Sequence, residues 1–268
     1  MKFEIKTGLL GFCAAALLLT GCETTAPRSG SVDIVGDAGG YNETDHASGA
    51  GDVYVQLAAA YMNKGQLDVA LIKARQALAV DPNNSSAHNV IALLYDRLGE
   101  NGLAEHHFQK GIGLASRNSY LRNAYGTFLC SQQRFEEANE QFMHALGNPL
   151  YKTPEVALTN AGICAKRVPD LVQAESYFRQ ALVQNPRFSA ALSQMAQISL
   201  ERSEHLSARA YLQRYMEVAR HTAVTLWTGI QTERVLGDRD AVASYSLLLK
   251  NAFPDSRETQ LLMESERK

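Results

Sequence analysis

The sequence has no excess of charge, no hydrophobic run long enough to span a bilayer and no catalytic motif. Its 26 Lys and Arg stand against 28 Asp and Glu, a net charge of −2, with no block of like charges. A nucleic-acid-binding face would need clustered basic residues, so no nucleic-acid partner is expected. The apolar run from Gly8 to Leu19 falls short of the roughly 20 residues of a transmembrane helix. There is no HExxH, no P-loop and no GxSxG. Ser265 to Lys268 fits SxxK in form, but a chain terminus can neither desolvate nor orient a nucleophile. His106 and His107 are adjacent, about 100° apart on a helix, and cannot share a metal as i,i+4 histidines do. No catalytic residue, metal, cofactor or small-molecule substrate is therefore expected.

What is present begins with an address. Lys2 and Lys6 precede the Gly8–Leu19 run, which ends in Leu19-Thr20-Gly21-Cys22. A basic start, a short apolar core and small residues before a cysteine form a signal peptide over 1–21 with a bacterial lipobox. The Cys22 thiol is the nucleophile that takes the diacylglyceryl group. At about 0.8 kcal/mol per buried methylene, two or more acyl chains hold a protein on a membrane almost permanently. In lipoproteins that this end resembles, Asp after the cysteine favours the inner membrane, so Glu23 points to the outer membrane, with the folded part facing the periplasm. Residues 22–50 are rich in Gly, Ser, Thr, Asp and Asn. That is the composition of a flexible tether, with a span on the order of 25–30 Å.

From Gly51 the sequence acquires a beat. Gly51 to Asn84 reads as two amphipathic helices joined at Asn63-Lys64-Gly65 and closed by Asp81-Pro82. Small residues at places 8, 20 and 27, an aromatic at place 11 and proline at place 32 make the tetratricopeptide repeat (TPR) pattern. Place 8 of successive units reads Ala58, Ala92, Gly126, Gly162 and Ala196, and place 20 reads Ala70, Ala104, Ala138, Ala174 and Ala208. Such pairs let antiparallel helices approach closely, while Phe108, Phe142, Phe178 and Leu212 at place 24 fill the space between units. The expected fold is all-α: a TPR solenoid of about six helix-turn-helix repeats in a right-handed superhelix with a concave groove. The units are 51–84, 85–118, 119–154 (lengthened near Lys152-Thr153-Pro154), 155–188, 189–222 and 223–256, with a polar tail over 257–268. The sixth has two registers. A start at 223 puts Pro254 at place 32 but Ile230 and Val242 at the small places, whereas a start at 222 restores Gly229 and Ala241.

Two cysteines remain, Cys130 and Cys164, on the first helices of units three and four. First helices of neighbouring units lie side by side, and an oxidising periplasm favours a bridge between them. First helices also line the groove, through places 2, 5, 9, 12 and 13. Val55, Ala59, Met62 and Leu93, with Asn89 among them, make an apolar strip suited to an extended or helical partner peptide. Val32 to Val35 of the chain's own tether is the alternative occupant.

A lipobox, a short tether and six repeats, in that order, resemble the PilW/PilF family of outer-membrane lipoproteins of type IV pilus biogenesis. Asn123 to Cys130, Asn160 to Cys164, and Ala243-Ser244-Tyr245 through Phe253-Pro254-Asp255-Ser256 carry the local likeness. Ser116, Leu150 and Arg220 depart from the repeat-ending proline. The resemblance implies a pilotin-like, non-enzymatic role: binding the secretin subunit or other pilus-assembly proteins, supporting secretin assembly, and anchoring through palmitate-like acyl chains. A TPR adaptor for another envelope machine, such as peptidoglycan synthesis or outer-membrane maintenance, is the other reading.

Overall fold

A computed structural model describes residues 49–168 and 170–267. The signal peptide, Cys22 and all but the end of the tether lie outside the described residues. Thirteen α-helices and no strand are found among those described: α1 (Ala50–Asn63), α2 (Leu67–Val80), α3 (Ser85–Leu98), α4 (Asn101–Leu114), α5 (Ser119–Ser131), α6 (Phe135–Leu146), α7 (Pro154–Arg167), α8 (Leu171–Gln184), α9 (Ser189–Glu201), α10 (His205–Met216), α11 (Ala223–Leu236), α12 (Arg239–Ala252) and α13 (Arg257–Glu266). The first twelve form six antiparallel pairs, each packed on the next. The fold is a TPR solenoid.

Close approach within each pair follows from the small residues. Ala58, Ala70, Ala92, Ala104, Ala138, Ala174, Ala196 and Ala208 have no exposed surface. Gly126 and Gly162 take the contact further. A Cβ on Gly126 would sit 2.8 Å from Phe142 Cε1, and one on Gly162 only 2.6 Å from Phe178 Cε1. The aromatic ring of the second helix thus lies flat against the backbone of the first, where no side chain larger than hydrogen fits. Phe108, Phe142 and Phe178 are in turn fully buried. Helix starts are fixed by side-chain caps: Asn84 Oδ1 accepts from the Ala87 amide at 2.8 Å and Asn118 Oδ1 from Leu121 at 3.1 Å.

The turn inside the pair recurs as well in five of the six units. Gly65, Gly99 and Gly237 hold φ of 75°, 79° and 80° at the same place of their units, and Gln133 (63°) and Ser203 (62°) adopt that left-handed conformation without being glycine. Helix starts show the same spacing. The second helices begin at 67, 101, 135, 171, 205 and 239, steps of 34 interrupted once by the two-residue insertion before α7. The sixth unit thereby starts at 223, with Ile230 fully buried and Val242 half-buried at the places that alanine or glycine holds elsewhere. A buried carboxylate also secures this unit: Glu233 is 4% exposed, and Arg209 of α10 donates to it from Nε at 2.9 Å.

The chain after 256 differs from the polar tail expected of it. It forms α13, capped by Ser256 Oγ accepting from the Thr259 amide at 3.2 Å, and it packs on α11 and α12. Leu262 and Thr259 have no exposed surface, and Leu262 joins Leu226, Ile230 and Leu249 in one core cluster. The physical reason is the open side of the last repeat. Residues as large as Ile230 and Leu249 leave apolar surface that no seventh pair covers, and a single amphipathic helix closes it.

Candidate functional site

Cys130 and Cys164 are joined, with Cα atoms 5.9 Å apart on α5 and α7. Stacking of first helices brings the two within the range a bridge requires. Arg167 adds a second tie between the same helices, donating from Nη1 to the Cys130 carbonyl at 3.0 Å. Beside them Asn160 Nδ2 donates to Asn123 Oδ1 at 3.1 Å, both side chains buried.

The strip expected to line the groove is not open. Val55, Ala59, Met62 and Asn89 are 1%, 6%, 3% and 6% exposed, and Leu93 is half-buried. Val55 and Met62 belong to the core cluster of Ala58, Val90, Ile91 and Leu94, with Leu93 packed against it. Arg97 reaches across from α3 to donate to the Met62 carbonyl at 2.9 Å. These side chains are spent on the seam between α1 and α3 and do not form a free docking strip.

An open stretch of groove lies at the other end of the array, between α9 and α11. A concavity of about 610 Å³ is lined by Gln197, Leu200, Val224, Trp227, Arg234 and Val235, among others. Each of these occupies place 2, 5, 9, 12 or 13 of its unit. The groove-facing places are therefore the same at both ends of the array, but in repeats one and two Val55, Ala59, Met62, Ser86 and Asn89 at these places are buried. The signal available in the sequence is Trp227, the chain's single tryptophan, at place 5 of the sixth unit. Val235 is 61% exposed, while Trp227 is half-buried under the Arg234 guanidinium, 5.8 Å from the ring centroid.

Elsewhere several titratable groups are drawn into the packing. His88 Nδ1 and His107 Nδ1 stand 2.9 Å apart between α3 and α4. Burial pushes the His107 pKa down to about 4, and a proton on His88 and the positive Lys110 and Arg75 nearby act in the same direction. Burial lowers that of His88 as well. Two neutral imidazoles sharing one proton satisfy this geometry, and a doubly protonated pair does not. Burial likewise raises the carboxyl pKa of Asp96. Among the described residues no group of three or more His, Cys, Asp or Glu side chains could hold a metal ion.

The tetratricopeptide repeat family matches residues 51–84. Over 245 residues the chain is 31% identical to the type IV pilus assembly protein PilF of Pseudomonas aeruginosa, spanning 91% of this chain and 93% of that one. The solved P. aeruginosa PilF structure superposes with a TM-score of 0.72 at 31% identity, covering 81% of this chain and 97% of the other. The structure of PilW, a widely conserved type IV pilus biogenesis factor, gives 0.71 at 30% identity, covering 81% of this chain and all of PilW. Cut9 in its complex with Hcn1, at 14% identity and a TM-score of 0.67, shows the likeness of fold alone.

Proposed function

The chain belongs to the PilF/PilW family of type IV pilus biogenesis proteins, and on that premise we propose that it is a non-enzymatic outer-membrane lipoprotein that supports assembly of the pilus secretin. The observation that carries this reading is the extent of the match. Identity of 31% runs through 93% of PilF, so the whole array is shared and not one generic repeat. The sequence supplies the rest: acylation at Cys22 gives location, residues 22–50 give reach, and the array offers a surface for a partner. Tethering to a membrane raises the effective concentration of the array near other outer-membrane components without any new contact.

The scaffold role follows from the array. Its side chains are committed to helix packing, and the groove offers apolar surface, amides, the Arg234 guanidinium, a Thr228 hydroxyl bonded to the Val224 carbonyl and a Glu201 carboxylate paired with Lys166. The test is a clean deletion in the source bacterium, complemented with the wild-type gene and with Cys22→Ser. Loss of secretin multimers and of surface pili on deletion, restored only by the acylated protein, is the expected result. Unchanged multimers and piliation together with altered cell shape or envelope integrity would overturn it in favour of an adaptor for another envelope machine.

A further inference from the structure

We propose that the groove between α9 and α11 binds an extended segment of a partner protein in which an apolar side chain stands next to a carboxylate. The proposal rests on the scaffold reading of the chain but not on the identity of its partner.

Three features of the groove are incomplete, and one kind of ligand completes all three. The first is apolar surface. Leu200, Val224 and the ring of Trp227 line the concavity, and Val235 at its rim is 61% exposed. A volume of about 610 Å³ accommodates a few residues of extended chain with one large side chain inserted.

The second is charge. Arg234 lies over Trp227 and donates from Nη2 to the Ser265 hydroxyl at 3.0 Å. It has no carboxylate partner among the ion pairs of the described residues. The acidic residue that shares the groove, Glu201, is taken by Lys166 at 3.5 Å. The groove therefore presents one uncompensated guanidinium, over an indole ring, at the edge of an apolar surface. A carboxylate takes such a fork in bidentate fashion and a lysine is repelled by it.

The third is a buried donor. Gln197 lines the groove, and its Nε2 is out of contact with water and has no hydrogen-bond partner. Leaving such a donor unmatched is unfavourable. Rotation of the amide turns this Nε2 into the groove, where the backbone carbonyl of an extended chain running along α9 supplies the acceptor. A free anion offers no body for the apolar surface, and a flat membrane surface does not enter a concavity.

Trp227 also provides the measurement, because it is the chain's sole tryptophan. The full-length lipidated protein in detergent is titrated with two nine-residue synthetic peptides while its emission is followed. One peptide carries Leu-Phe-Asp-Glu at its centre and the other Leu-Phe-Lys-Lys. The acidic peptide is expected to shift the emission saturably and to bind at least about tenfold more tightly than the basic one. Arg234→Gln removes that preference and Arg234→Glu reverses it, with helical content and thermal midpoint unchanged because the side chain is exposed. Val235→Asn weakens both peptides.

Equal binding of the two peptides, or no shift at millimolar concentration, overturns the proposal. So does an emission shift that depends on protein concentration alone, which would make the groove a contact between copies of this chain. A shift produced by phosphatidylglycerol vesicles but not by peptide would mark a lipid-facing surface and is equally fatal. A negative peptide result together with lost secretin multimers in the deletion strain rejects the groove and leaves the scaffold role standing. Peptide binding together with normal multimers does the reverse.

Discussion

The first repeat and the sixth are built to the same length and turn, yet they solve opposite problems. In the first, Ala58 meets Ala70 with no surface exposed. Its groove-facing Val55 and Met62 are absorbed into the seam with α3. In the sixth, Ile230 and Val242 stand where alanine or glycine stands elsewhere, and the two helices pack less closely. Its apolar residues extend in two directions, toward α13 on one side and into the open groove on the other. Small residues at the helix crossing tighten a repeat and let its remaining side chains serve the neighbouring unit. Large ones widen it and leave surface to be covered by something else.

Ring substitutions give the largest test of that contrast. Phe178 is wholly buried against Gly162, whereas Tyr245 over Gly229 is half-buried. In chemical denaturation Phe178→Ala is expected to cost about 4 kcal/mol and Tyr245→Ala about 1–2 kcal/mol. Equal losses would show that the terminal repeat is packed as tightly as the inner ones.

The covalent tie is next in size and belongs to the inner repeats. The Cys130–Cys164 link spans a sequence separation of 34, for which loop-closure entropy predicts a contribution of about 3–4 kcal/mol. Cys130→Ser should lower the denaturation midpoint, and dithiothreitol should lower that of the wild type to match. Mass spectrometry that finds two free thiols in protein recovered from the periplasm would remove the bridge from the account.

The smallest effect is one of pH. In the unfolded chain a histidine titrates near 6.5, while in the fold His107 takes a proton only near pH 4. The folded state thus binds fewer protons below 6.5, and stability falls as pH drops from about 6.5 toward 4. His107→Gln should flatten that slope. Hydrogen exchange should place the acid-sensitive opening in α3 and α4, not in α11 and α12. Although burial also lowers the pKa of His221 near the sixth repeat, that ring has no second imidazole at hydrogen-bond distance. Loss beginning at the C-terminal end would contradict the contrast between the regions.

Much of the architecture is legible in the amino-acid sequence because it depends on neighbours close along the chain. The alternation of Ala58 with Ala70 and of Gly162 with Ala174 sets how closely two consecutive helices cross, and the aromatic at place 24 answers the glycine at place 8. The sixth unit is harder. Gly229 and Ala241 offer a tempting register, but the left-handed turn at Gly237 and the start of α12 at 239 set the frame one residue later. α13 leaves little signal, since its helix is held by Leu262 and Thr259 in a short stretch with charged residues at both ends. The groove is hard to place for a related reason. Val55 and Trp227 hold the same place in their repeats, and only the residues packed across from them decide which is covered.

The sequence alone determined the helical period, the six paired units and the positions where helices touch, because each is settled by contacts within one unit or between adjacent ones. The tertiary structure decided three further matters: that Cys130 and Cys164 come within bridging distance, that the chain after 256 folds back as a cap, and that the open groove lies beside Trp227 and not beside Val55. Each depends on how far apart two surfaces stand once several repeats have stacked. That distance accumulates from many crossings and is written in no single segment.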